Sequence, residues 1–195
     1  MYKFNPYKAI NLLAFFAAQF AGKIDKMKVF KLIWLSDRLQ MRTTGNAIIN
    51  DTYYAMEFGP VPSKTFDLTK QTEKNLLIQT AFDQILDVSD GKFLIAKREP
   101  NLGFFSETDR NTIKFIMQHF GHLSGIQLSE LSHIYPEWKK FETELALKKS
   151  RFLMDYSDFF KNPEKDNHAI FNEKEELLSL CHDVFLENQI LANLA

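Results

Sequence analysis

The sequence predicts a mainly α fold of the α+β kind, a compact helical domain around one central buried helix with a small antiparallel sheet or hairpin beside it. Three observations carry this. Residues 25–42 place Val29, Phe30, Leu32, Ile33, Trp34, Leu35 and Leu39 around most of a helix circumference, as a core helix does. Residues 53–58 alternate, with Tyr54, Met56 and Phe58 on one side and Tyr53, Ala55 and Glu57 on the other, which reads as a short strand with two usable faces. Ser89-Asp90-Gly91 separates two apolar runs, FDQILDV and KFLIAKR, and Asp-Gly in that setting signals a hairpin. One sheet built from residues 53–58 and 82–98 is therefore expected.

The remaining elements follow in chain order. Pro6 suits the first turn of a helix, and the apolar run from Ile10 to Ala21 continues it to Gly22. That run is too short to span a bilayer, and neither cut after Ala18 nor cut after Ala21 leaves the small-residue pattern of a signal cleavage site. The second helix is closed by Thr43-Thr44-Gly45. Gly59 breaks the strand at 53–58, and Pro62 opens a helix to about Lys70. Ser106 with Asp109 caps a helix from Glu107 to about Phe120, and Ser124 or Gly125 opens a shorter one that stops before Pro136. Residues 143–172 look the least ordered, and a last helix starts near Glu173. No repeat or second domain is evident, so residues 1–195 read as one domain.

Charge and chemistry narrow the function. Lys and Arg number 24 against 25 Asp and Glu, a balance that gives no general pull towards nucleic acid or an anionic membrane. A single cysteine, Cys181, excludes an intrachain disulfide framework and fits a reducing, cytoplasmic setting. His119 and His122 have a spacing that can serve a metal, yet Gly121 between them ends the helix and no third ligand is spaced to complete a site. No phosphate loop, dinucleotide fingerprint, nucleophile elbow or zinc-protease motif is present. Neither a catalytic group, nor a metal, nor a cofactor is expected. Residues 107–133 have the length of a helix-turn-helix, but the second helix carries no Arg or Lys to hold phosphates.

Two features of the second helix bear on partners. Lys28, Lys31, Arg38 and Arg42 share one narrow stripe, read first as a solvated face and otherwise as a site for an acidic partner. Asp37 lies opposite, among apolar residues, where an acid must be hydrogen-bonded or paired; a structural anchor is the preferred role over a catalytic acid. The rigid run Gly59-Pro60-Val61-Pro62 bears no reactive group. It is either an architectural bend or part of a binding scaffold. If it binds, the contact surface includes Tyr53, Glu57, Val61 and Pro62, together with Lys28, Lys31, Arg38 and Arg42 where these face solvent.

The run KLIWLSDRLQMRTTGNAIINDTYYAMEFGPVPSKTFDL, residues 31–68, resembles the Panacea domain, also described as the SocA-like or GepA-like phage-associated domain. Asp37, Gly45, Tyr54, Ala55, Gly59, Pro60 and Val61 match its first motif. Leu102 to Thr112 followed by FGHLSGIQLSELSH is similar to its second, and Trp138 also fits. The resemblance covers about residues 8–140, leaving 141–195 as a helical extension. It implies a non-enzymatic antitoxin that neutralises a protein toxin encoded next to it by direct binding. Handing that toxin to a protease, or regulating transcription through the helix-turn-helix-like segment, are the alternatives. The sequence sets neither the toxin nor the state of self-association.

Overall fold

Helix α2, Lys26–Thr44, is the core of the molecule, and residues 29–38 are buried on every side. In this computed structural model, which describes residues 3–70, 73–148, 150–164 and 170–194, the other elements pack around it. Asp25 caps its first turn by accepting from the Lys28 N–H, and Gly45, with φ 71°, closes its end in the left-handed region that glycine tolerates. Helix α1, Pro6–Ala18, lies in the same core and buries Ile10, Leu12, Leu13 and Phe16. Helices α5, Glu107–Phe120, and α6, Gly125–Ser132, both start with a capping box, Ser106 with Asp109 and Ser124 with Gln127. Helix α3 is Ser63–Leu68, α4 Leu76–Ile85, α7 Pro136–Lys139, α8 Glu142–Leu147 and α9 Glu175–Leu194. The fold is mainly α, with small antiparallel sheets, as the sequence predicts.

The sheets depart from the expectation of one. Strands β1, Lys23–Asp25, β4, Leu86–Ser89, and β5, Phe93–Ala96, form one sheet in the order β1-β5-β4. Strands β2, Tyr53–Met56, β3, Gly59–Pro62, and β6, Phe152–Leu153, form another in the order β3-β2-β6. The Asp90-Gly91 turn forms, with φ of 53° and 63°, but residues 82–85 before it are helical. Asn75 caps that helix, and Ile78, Phe82 and Ile85 recur at helical spacing along its inner side, which outweighs the apolar run. Residues 59–62, expected as a break, are a strand. Their prolines are tolerated because β3 is an edge strand whose N–H positions need no partner.

The charged stripe of α2 is a second correction. Lys31, Arg38 and Arg42 are buried, and Lys28 is half-buried. Arg38 Nε donates to Glu137 Oε1 at 2.8 Å and its Nη2 to the Lys161 carbonyl at 2.9 Å, while its guanidinium stacks on Tyr135 and Phe171. Arg42 donates to the carbonyls of Phe159, Lys161 and Phe171 and to Asn162 Oδ1. Burial, with the Arg38 guanidinium beside it, pushes Arg42 down to about 9, so it is still a cation at neutral pH. These bonds hold parts of the stretch 143–172 expected to be irregular, of which residues 149 and 165–169 lie outside the described residues. It adds β6 to the sheet, then a 3-10 turn at Tyr156–Phe160 that packs against α2 and α9.

Asp37 fixes the opposite side. Its Oδ1 accepts from the N–H groups of Ile48 and Ile49 at 2.7 and 3.3 Å, and its Oδ2 accepts from the Tyr53 hydroxyl at 2.9 Å. One carboxylate thus ties α2 to the loop after Gly45 and to β2. Asp51 does similar work one step on, accepting from the backbone of Lys64 and Thr65 at the start of α3.

Two outcomes are expected. Arg38→Ala leaves Glu137 buried without its closest cation and should cost about 3–5 kcal/mol, read as a lower urea midpoint. A midpoint within error of the parent would show that the pair contributes nothing net. Burial also pushes the Asp37 carboxyl up to about 7 despite its three donors, so the native state holds a proton that the unfolded chain releases near pH 4. The stability contributed by this group is complete below about pH 4 and is lost as pH rises through 7. Relative to Asp37→Asn, the parent should therefore lose melting temperature between pH 5 and pH 8; parallel profiles would mean a carboxylate ionised throughout.

Candidate functional site

Strands β2 and β3 form a hairpin whose tip is Glu57 and Phe58, with Met56 opposite Gly59 in register. The turn residues have negative φ and Gly59 has φ 93°, the pattern of a tight turn followed by a left-handed glycine. A Cβ on Gly59 would collide with Ser132 Oγ and Lys31 Cε, so the chain also passes too close to its neighbours for any side chain. Three side chains then hold alternate carbonyls of the hairpin. Trp138 Nε1 donates to Met56 O at 2.8 Å, Ser129 Oγ to Phe58 O at 2.9 Å, and Lys31 Nζ to Pro60 O at 2.8 Å. Trp138 is itself stacked on His133, with ring centroids 3.7 Å apart. The result is a stiff projection bonded to α2, α6 and α7.

Beside this projection lies a groove of about 560 Å³. Met27, Phe30, Met56, Phe58, Val61 and Phe66 give it apolar walls, and Phe58 is 58 % exposed. Lys26, Lys70 and Lys92 stand around it, with Asp25 and Glu57 as the acids; Lys70 is paired with Asp67 at 2.7 Å and Lys26 Nζ donates to the Thr69 carbonyl. Asp25 is engaged by the α2 cap and lies 3.9 Å from Lys92. Burial, and secondarily the charge of Lys70, lowers Lys26. Lys31 also lines the groove, and burial pushes its amine down to about 7. A depression of about 470 Å³ on another face is lined by Lys139, Lys140 and Lys161, but these are paired with Glu142 and Asp158. The hairpin groove is the better candidate, being apolar, accessible and rigid.

Of the residues proposed from sequence for partner contact, Glu57, Val61 and Lys31 come together here. The others do not. Tyr53 and Pro62 are buried, the Tyr53 hydroxyl serving Asp37; Arg38 and Arg42 point into the core. Lys28 Nζ donates to the Gly121 carbonyl and covers the Phe20 ring. The motif residues Asp37, Gly45, Ala55, Gly59 and Pro60 are buried, and Tyr54 lies half-buried under the Arg151 guanidinium. Sequence reasoning missed Met27, Phe30, Phe66 and the rim lysines, which arrive from segments far apart in the chain. Phe58 was legible, as an aromatic at a Gly-Pro turn.

Among the described residues no group of three or more His, Cys, Asp or Glu is placed to hold a metal. His119 is exposed and stacked on Phe115. No helix among the described residues is long and apolar enough to cross a membrane. Residues 29–139, which run from within α2 through α7 and include the whole hairpin, match the family described as antitoxin SocA-like, Panacea domain. No curated protein and no solved structure matches the chain.

The hairpin's fit gives a direct expectation. Gly59→Ala adds both left-handed backbone strain and the collision with Ser132 and Lys31, so its melting temperature should fall by several degrees, for a loss of roughly 1–3 kcal/mol. Ser132→Gly in the same chain should recover part of that loss if the collision contributes, and none if strain alone is responsible.

Proposed function

This chain belongs to the antitoxin SocA-like, Panacea domain family, and on that premise we propose that it neutralises a cognate protein toxin by direct binding, in the cytoplasm and without catalysis. The observation that carries the reading is the hairpin groove: a 58 % exposed Phe58 beside apolar walls, on a hairpin whose carbonyls at 56, 58 and 60 are each held by a side-chain bond. A surface already fixed in shape loses little freedom on binding, and aromatic residues dominate interface energies. Of the rim lysines, Lys70 is paired with Asp67 and Lys92 lies beside Asp25, so the apolar walls carry this reading more than charge does. A DNA-binding role has less support. Helix α6 exposes Ile126, Gln127 and Glu130 and carries no Lys or Arg.

The test is co-expression with the product of the neighbouring reading frame, scored by growth rescue, co-purification and toxin level. Parent protein should rescue growth and co-purify with an undegraded toxin; rescue with loss of the toxin would indicate delivery to a protease instead. Phe58→Asp should melt like the parent, since its side chain is exposed, and weaken binding by about 30-fold or more, as a central anchor does. Normal affinity in that folded variant would place the interface elsewhere. Failure of the parent to bind or rescue would reject the reading itself.

A further inference from the structure

Helix α9 buries one side, through Leu178, Cys181 and Phe185, and leaves a second apolar line in water. Leu177, Leu180 and Val184 follow one another at spacings of three and four, Leu191 and Leu194 resume the line one heptad on, and the five are 39, 64, 41, 62 and 79 % exposed. Projected at 100° per residue they fall within one flank of the helix, so the stripe is continuous over about 25 Å apart from Glu187. Single exposed leucines are ordinary, but a continuous line of them is not. The helix is anchored by its inner side, which packs on α2 near Gly45 through the Cys181 carbonyl and the inner edge of Val184, so Leu177, Leu180, Leu191 and Leu194 are the members of the line that take no part in that contact.

Charge selects the occupant. Residues 175–194 contain Glu175, Glu176, Asp183 and Glu187 and no Lys or Arg. Glu176 and Asp183 project along the outer edge of the stripe and Glu187 within it, and all three are exposed. A second copy of the same helix would bring acids against acids in an antiparallel pair, and in a parallel pair would offer them no Lys or Arg, since residues 175–194 hold none. A helix with an apolar line flanked by Lys or Arg would meet the leucines with its own and the acids with opposite charge. We infer that the exposed flank of α9 is a docking surface for a basic amphipathic helix of a partner protein. It is separate from the hairpin groove, whose rim is basic, and lies outside the residues that define the family.

The probes are two synthetic helices with the same leucine heptad, one flanked by lysines and one by glutamates, titrated against the full chain by fluorescence anisotropy. The lysine helix should bind at least about tenfold more tightly than the glutamate helix. Leu180→Glu with Leu191→Glu should abolish that binding although it adds negative charge, because the apolar line is lost. Leu180→Ala with Leu191→Ala keeps helix propensity and should weaken binding at an unchanged melting temperature. Equal affinity for the two helices, or unchanged binding in these variants, would overturn the inference. So would a dimer of the parent chain in sedimentation that Leu180→Glu with Leu191→Glu dissolves, since the face would then belong to a second copy.

Discussion

A helix enclosed on all sides has no water to satisfy its polar side chains, and α2 buries Lys31, Ser36, Asp37, Arg38, Gln40 and Arg42 among its apolar residues. An unpaired buried charge is costly enough that each of these groups must find a protein partner. The partners come from almost every other element. Lys31 reaches β3, Asp37 the loop at 48–49 and β2, Arg38 helix α7, and Arg42 the segment 159–171. Gln40 bridges to Asp109 and Thr112 on α5, and Asp109 in turn takes Lys8 of α1. Apolar packing supplies most of the stability of such a core, but it is non-directional. The polar bonds of α2 are directional, and they set the position of each neighbour.

The hairpin is the clearest consequence. An edge strand with two prolines contributes few ladder bonds of its own, and a hairpin of four-residue strands is marginal by itself. Its carbonyls at 56, 58 and 60 are instead taken by Trp138, Ser129 and Lys31. Lys31 belongs to α2, so the rigidity of the projecting tip derives from the same demand that orders the core. Gly59 is required at the junction because the lysine stem and Ser132 occupy the space of a side chain. The inert sequence Gly-Pro-Val-Pro is therefore both architecture and the wall of a groove, and the two readings of it do not compete.

Much of this was legible in the sequence, and the failures have physical causes. The all-round apolar character of α2, the capping boxes and the Asp-Gly turn depend on local spacing, which a sequence states outright. The charged stripe was misread because a helical projection shows which residues share a face and is silent on what covers it. One signal pointed the other way: a helix already apolar around most of its circumference leaves little room for a solvated side. The partners that cover the stripe, Glu137 with Phe159, Lys161, Asn162 and Phe171, lie about a hundred positions away or more. The groove was half legible for the same reason, since Glu57, Phe58 and Val61 are contiguous while Phe30, Phe66 and Lys92 are joined only by the fold. The pairing of β2 with β6 instead of residues 82–98 likewise depended on long-range contacts that periodicity does not encode.

Net charge illustrates the same limit in electrostatics. The total of −1 argues against a general attraction to polyanions, and at long range that argument holds. Screening at physiological salt, however, confines each exposed charge to a neighbourhood of about 8 Å. Lys26, Lys70 and Lys92 surround a groove at the N-terminal end of α2, and Glu176, Asp183 and Glu187 line the helix that crosses near its C-terminal end. With 19 residues, α2 is about 28 Å long, several screening lengths. The two patches therefore act separately: the acids of α9 have no Lys or Arg on their own helix, whereas Lys70 and Lys92 at the groove are already paired with Asp67 and Asp25. Because α2 is held rigid by its buried bonds, the separation of the patches is also fixed. A single partner could engage both only if its own charged surfaces were spaced to match.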